Sequence, residues 1–172
     1  MLVGQAPGIV EEDVRRPFAG RAGRQLVRWM ERAGFAGEQE FRDRVYITST
    51  TTCFPGRRPH GSGDRRPTPT EVRLCAPWLD SALELIRPRL VITVGGLAAG
   101  RLLGRTTLEA LVGEVFDAGG DPLEEPPGHR SRVYAPLPHP SGQSRWLNDP
   151  ERTALLDRAL RRLGPLVEWA ER

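Results

Sequence analysis

Short aliphatic and β-branched runs alternate along this chain with segments whose apolar residues recur at helical spacing. Leu2-Val3-Gly4 reads as the end of a first strand, residues 44–52 (RVYITSTTT) as a second, 89–94 (RLVITV) as a central strand apolar on both faces, and 132–137 as a further one. Residues 21–33 carry Leu26, Val27 and Met30 at helical spacing, with Trp29 beside them, and stop at Gly34. Residues 70–86 predict an amphipathic helix with Val72, Cys75, Leu79, Leu83 and Ile86 inward. Shorter helices are expected at 97–103 and 107–112, and a last one from Pro150 to the C-terminus, broken at Gly164-Pro165. A Gly/Pro/acidic loop runs to Gly20, and 55–69, rich in Gly, Pro and Arg, is expected to be a mobile loop that holds neither helix nor strand. Strands alternating with helices predict a parallel α/β sheet in one domain covering residues 1–172, with no internal repeat.

Composition narrows the function classes. A chain of 172 residues is long enough for an ordinary core without staples. No apolar stretch approaches a membrane span, and Met1 leads almost directly into the first strand without the basic-then-apolar layout of a signal peptide. Two cysteines, Cys53 and Cys75, are too few for a disulfide framework, so a reducing, intracellular and hence cytoplasmic setting is expected. The net charge is only +3, yet all 25 basic residues are Arg. Codon bias in a GC-rich genome accounts for the missing Lys. Whatever its origin, the lack of a side-chain amine excludes Schiff-base chemistry through Lys.

Candidate chemistry gathers where strands end. Gly4-Gln5-Ala6-Pro7-Gly8 follows the first strand, Ser49–Cys53 closes the second, and His139-Pro140-Ser141 follows the last. Open α/β sheets bind ligands at their carboxyl edge. The loop after the first strand adds Phe18, flanked by Pro17 and Gly20 and placed outside any helical period. An amide, an aromatic face, a small hydroxyl and an imidazole on one rim suit a planar heterocycle that stacks on Phe18 and meets hydrogen-bonding groups at its edge. Phe18 also fits as a plug beneath its loop, and His139 as a turn residue. His60 and His129 read as solvated, Glu11, Glu12 and Asp13 as a solvated acidic turn, and Cys75 as a core cysteine. Asp64 fits a cap or surface position, or a place in the site. The arginines between Arg57 and Arg66, with Gly and Pro among them, suit salt-sensitive phosphate contacts.

The order GQAPG, then EEDVRRPFAGRAG, VYITS, a Cys-Phe-Pro-Gly-Arg loop and HPS resembles the uracil-DNA glycosylase superfamily, over nearly the whole chain from Gly4 to about Trp146. It most resembles the family 4 branch, which normally carries an iron–sulfur cluster. The resemblance implies a three-layer sandwich around a central, mostly parallel four-stranded sheet flanked by helices. It implies a monofunctional enzyme that hydrolyses the glycosidic bond of uracil, or a related deaminated base, to leave an abasic site in base excision repair. The partner would be DNA, and a nucleoid-associated monomer without membrane contact is expected. Gln5 would hold the attacking water or the base, and Ala6 falls where the most active branch has a water-activating Asp. Phe18 would stack on the flipped base, and His139 would donate to uracil O2. Ser141 and the segment Gly142–Arg145 would bind phosphate and enter the duplex, Arg145 matching an Arg of family 4, and Arg57 and Arg58 would add DNA contacts.

Three departures from that pattern carry consequences. Ser49 stands where family 4 has an Asn that reads the uracil edge, so a shorter hydroxyl implies another base or an added water. Cys53 and Cys75 match only the second pair of cluster cysteines, and two thiolates do not hold a cubane. No cofactor is therefore expected, a 4Fe-4S cluster returning only if the native chain extends upstream with two more cysteines. The Arg57–Arg66 loop resembles the place of a basic, His-containing insert in a DNA-crosslinking branch, but the count puts Asp64, not His60, at the reactive position, so covalent trapping is not implied. Ala6 and Ser49 together keep open a lesion-binding module that lacks catalysis.

Overall fold

The apolar runs become strands, and their alternate residues feed two separate cores. The computed structural model describes residues 1–60, 63–105, 107–128, 131–142 and 145–172. In chain order these form β1 (Leu2–Gly4), α1 (Ile9–Val14), α2 (Arg21–Arg32), α3 (Glu38–Arg44), β2 (Ile47–Ser49) and α4 (Pro69–Ile86). They continue as β3 (Leu90–Val94), α5 (Gly96–Leu103), α6 (Leu108–Leu111), β4 (Val115–Phe116), β5 (Pro122–Leu123), β6 (Val133–Leu137) and α7 (Pro150–Glu171), with a 3₁₀ turn at Arg145–Asn148. The sheet order is β2-β1-β3-β6-β4-β5. The first four strands are parallel, as expected. The expected count of four is corrected by β4 and β5, two-residue strands that pair antiparallel at one edge and make the sheet six-stranded and mixed.

Period-two alternation along the strands builds the layers. Leu2, Ile92 and Ala135 face a core shared with Leu26, Trp29 and Met30 of α2, Phe41 of α3 and Leu163 of α7. Their neighbours Val3, Val91 and Tyr134 face the other way, against Leu79 and Leu83 of α4, Ala98 and Ala99 of α5 and Leu111 of α6. This is the expected three-layer arrangement of helices on both faces of the sheet. β1 pairs with β2 on one side and β3 on the other, so the chain reverses its direction of travel across the sheet there. A crevice opens outside the carboxyl ends of strands at such a point.

Several boundaries differ from the sequence reading. The second strand shrinks to Ile47–Ser49. The loop before Gly20 contains α1, and α3 forms from a polar segment with one buried apolar residue, Phe41. α7 runs unbroken through Gly164-Pro165. A Cβ on Gly164 would stand 2.6 Å from the Ala33 carbonyl oxygen, so glycine permits close approach of α7 to the end of α2. Leu163, Leu166, Val167 and Trp169 are buried on both sides of that pair. Packing thus overrides the proline signal. On α4, Leu79 and Leu83 are buried as expected, whereas Ile86 is exposed. The segment between Pro55 and Pro69 folds back on itself: Arg57 bridges Asp64, Arg58 N–H donates to Gly63 O at 3.0 Å, and Arg65 N–H donates to Gly56 O at 2.9 Å. Arg65 then grips Glu71, at the start of α4, through two bonds of 2.8 and 2.5 Å.

Candidate active site

A cleft of about 810 Å³ lies outside the carboxyl ends of β1 and β2. Its wall contains Gln5, Ala6, Phe18, Ser49 and His139, all five residues that the sequence brings together as base-handling groups, together with Arg58 and Ser141. Arg57 is exposed on the same hairpin but outside that lining, and Gly142 is exposed just beyond Ser141. Arg145 opens the 3₁₀ turn, and its side chain lies outside the described residues, as does His129. His60 is exposed, in keeping with its reading as a solvated residue.

Close backbone approach sets Phe18. Its φ of 51° is left-handed, uncommon for a bulky residue. The ring leans on Gly4, where a Cβ would come within 2.9 Å of Cζ. Gly23 in α2 sits under the Phe18 carbonyl, with room for no side chain: a Cβ would stand 1.7 Å from the oxygen. Arg42 of α3 donates to the Pro17 and Phe18 carbonyls at 2.9 and 3.2 Å. Phe18 also packs against the α2–α7 core, so the plug and the exposed face coexist in one ring.

Glu11 corrects the reading of the acidic turn as merely solvated. Its carboxylate accepts the Gly8 N–H at 3.1 Å and the Gly20 N–H at 2.8 Å, closing the loop that carries Phe18 onto the GQAPG turn. An acid three residues after a turn glycine, at the start of a helix, is the capping-box spacing that would have revealed it.

The end of β2 is stitched to the same turn. Thr50 donates to Gly4 O through both its amide, at 2.9 Å, and its hydroxyl, at 3.0 Å, and Thr51 N–H donates to Gln5 O at 3.2 Å. Ser49 Oγ donates to Thr51 O at 2.6 Å, so its proton is spent and its oxygen offers lone pairs to the cleft.

His139 packs on Gly95, whose φ of 86° is left-handed and where a Cβ would lie 3.3 Å from the imidazole Cδ2. Ser141 N–H donates to His139 Nδ1 at 3.2 Å, and Ser141 Oγ lies 2.9 Å from the same nitrogen. A backbone N–H only donates, so Nδ1 is an acceptor and the ring proton of the neutral imidazole sits on Nε2. Burial lowers the His139 pKa below the usual histidine value. The cleft therefore holds a neutral imidazole with one N–H to give. Six arginines and three carboxylates line the cleft as a whole, a balance that suits a polyanionic ligand.

Both cysteines are free thiols. Cys53 is exposed on the cleft wall, and Cys75 is half-buried rather than in the core, its Sγ 3.9 Å from Thr52 Oγ1. Among the described residues no three His, Cys, Asp or Glu side chains converge to hold a metal ion. A cubane needs four thiolates, and these residues supply two. No helix among the described residues is long and apolar enough to cross a membrane.

The sequence is 34% identical over 103 residues to the type-4 uracil-DNA glycosylase of Pyrobaculum aerophilum, covering 60% of this chain and 47% of that protein. It is 34% identical over 122 residues to the type-4 enzyme of Archaeoglobus fulgidus, covering 68% of this chain and 56% of that protein. The type-5 uracil-DNA glycosylase of Pyrobaculum aerophilum is 40% identical over 100 residues, covering 56% of this chain and 36% of that protein. The chain thus spans about half the length of the curated relatives it matches. The profile of the uracil DNA glycosylase superfamily matches residues 1–164, and the chain belongs to that superfamily.

Proposed function

We propose that this protein is a monofunctional DNA glycosylase that removes uracil, or a related deaminated base, and leaves an abasic site for base excision repair in the nucleoid. The observation that carries this reading is that Phe18 and His139, whose Nδ1 accepts the Ser141 amide and leaves Nε2 to donate, line one cleft at the sheet's carboxyl edge. A base flipped out of the duplex lies flat on Phe18. As the C1′–N1 bond breaks, its electron pair passes into the ring, and His139 Nε2–H donates to the oxygen where negative charge collects. Such a preorganised donor in a partly dry cleft contributes about 3–4 kcal/mol to lowering the barrier, by the measure of oxyanion-hole donors. Gln5, on the turn beneath, holds the water or the base edge. Ser49 accepts from a ring N–H, since its own proton is committed to Thr51. Arg57, Arg58, Ser141, Gly142 and Arg145 contact the phosphates flanking the lesion. The protein acts as a monomer and needs no metal or cofactor for these steps. Lacking Lys, it leaves the strand intact.

The test is incubation with a duplex and a single strand carrying one uracil, followed by alkali. Strand scission after alkali alone supports the reading, and scission before alkali rejects the monofunctional assignment. Ala6, which brings a methyl where a carboxylate would activate water, favours a second reading as a lesion-binding module. Tight binding to the uracil strand without abasic-site formation selects that alternative.

A further inference from the structure

Asp64 comes from the hairpin opposite the GQAPG turn, and its carboxylate reaches across to it. A Cβ on Gly8 would lie 2.7 Å from Asp64 Oδ2, so the carboxylate rests against the Gly8 α-carbon, on the cleft wall. The hairpin is held in place. The backbones of Asp64 and Arg57 pair as an isolated antiparallel β-bridge, the Arg58 amide bonds the Gly63 carbonyl, and Arg65 is tied to both Gly56 and Glu71. The guanidinium next to Asp64 in sequence is thereby turned onto α4 rather than onto the carboxylate.

Three carboxylates line the cleft, and they are not equivalent. Glu11 is committed to the Gly8 and Gly20 amides. Glu12 lies on the exposed side of α1. Asp64 is half-buried, and among the described residues its carboxylate accepts no hydrogen bond. Ala6, two residues before Gly8 on the same turn, brings no acceptor side chain. A cleft carboxylate that takes no hydrogen bond from the described residues, next to a turn that holds the reacting base, is suited to hold and deprotonate a water.

We infer that Asp64 is the catalytic base of the reaction, supplied from the hairpin instead of from the first turn. The inference rests on the glycosylase reading above. Asp64 accepts a proton from a water as the water oxygen bonds to C1′. The C1′–N1 bond breaks, its electron pair leaving with the base anion. The proton then passes from Asp64 through solvent to that anion, giving free base and a C1′ hydroxyl and returning the carboxylate.

The test compares the full chain with Asp64→Asn and Asp64→Ala. Single-turnover excision is measured on a uracil-containing duplex, with and without added formate, and affinity on a duplex carrying a tetrahydrofuran abasic analogue. Both variants are expected to excise about 10²-fold more slowly, with unchanged affinity for the analogue and with formate restoring rate to Asp64→Ala. Wild-type rates in Asp64→Asn overturn the inference. So does a loss of affinity that matches the loss of rate, or a slow Asp64→Ala that formate leaves unchanged. An active wild-type protein with an equally active Asp64→Asn removes only the role of Asp64, whereas an inactive wild-type protein removes the glycosylase reading and this role with it.

Discussion

Ser141 gives its backbone N–H to Nδ1 of His139 across 3.2 Å and so fixes which imidazole nitrogen carries the proton. Two residues of one turn thereby choose the tautomer. His139→Ala should lower single-turnover excision about 10²–10³-fold, the loss expected for one oxyanion donor, without releasing DNA. Ser141→Ala keeps the amide and should lose much less. Wild-type excision by His139→Ala would remove His139 from the chemistry.

The same pair predicts a pH response. Burial lowers the folded-state pKa of His139, so the unfolded chain takes up this proton first as pH falls. The stability associated with neutral His139 is intact above about 6.5, declines as pH drops below it, and levels off once the folded state is protonated as well. Protonation also turns Nδ1 into a donor, which opposes the Ser141 backbone N–H and leaves only the Ser141 hydroxyl oxygen, 2.9 Å away, able to accept from it. Nitrogen-detected NMR of the imidazole should show Nε2–H at neutral pH and a titration midpoint below the ordinary histidine value. A midpoint above it would contradict the burial seen here.

Phe18 tests how backbone contacts position an aromatic ring. Gly23→Ala places a methyl on the Phe18 carbonyl and must move either α2 or the loop. Overpacking of this kind costs about 1–3 kcal/mol, and the displaced ring should weaken base binding further. Phe18→Ala should weaken binding to uracil-containing DNA more than it lowers thermal stability, because part of the ring faces the cleft. Equal losses in the two measurements would mean that the ring serves only as a plug. Arg42→Lys is expected to resemble a mild Gly23 variant, since an ammonium cannot reproduce the forked bonds to the Pro17 and Phe18 carbonyls.

What could be read from the chain follows from the range of the contacts involved. The strand ends, the GQAPG turn, Phe18, Ser49 and His139 were legible because apolar runs and turn residues are local signals. Arg42 and Gly95 were not, because each acts on a residue that only the tertiary fold brings near, whereas Glu11 carried a local capping-box spacing and Asp64 fitted either a cap or a place in the site. Arg42 illustrates this: its bond to Glu38 at i,i+4 looks like a surface pair, yet the same guanidinium holds a loop 24 residues away in sequence. Short polar helices such as Glu38–Arg44 carry too little periodicity to be seen. At Gly164-Pro165 the local helix-breaking signal was real but was outweighed by buried neighbours on either side.

Glu11→Gln separates a clamp from a solvated charge. The carboxylate satisfies two amides with its two oxygens, whereas a carboxamide keeps one acceptor and turns an NH₂ toward the other N–H. Bonds to a charged acceptor are the stronger kind, and discounted for partial exposure the change should cost about 1–2 kcal/mol. Hydrogen exchange should speed up at Gly8 and Gly20 while amides in β3 remain protected. Unchanged exchange at both glycines would return Glu11 to the status of a surface acid.

Ser49→Asn bears on which base the cleft prefers. In the native chain the Ser49 proton is spent on Thr51 O, so this position presents an acceptor and no donor. An Asn side chain is longer and offers both, which matches the adjacent C=O and N–H on the uracil edge. Discrimination in favour of uracil over cytosine should rise, because cytosine presents an amino donor beside a bare ring nitrogen, the reverse of the uracil pattern, and a site built to bond C=O and N–H leaves buried polar atoms unpaired against it. Excision rates on duplexes carrying uracil, hypoxanthine, xanthine or cytosine at one position measure this. If the ratios match those of the native chain, Ser49 does not read the base, and the selectivity lies in the backbone of the GQAPG turn.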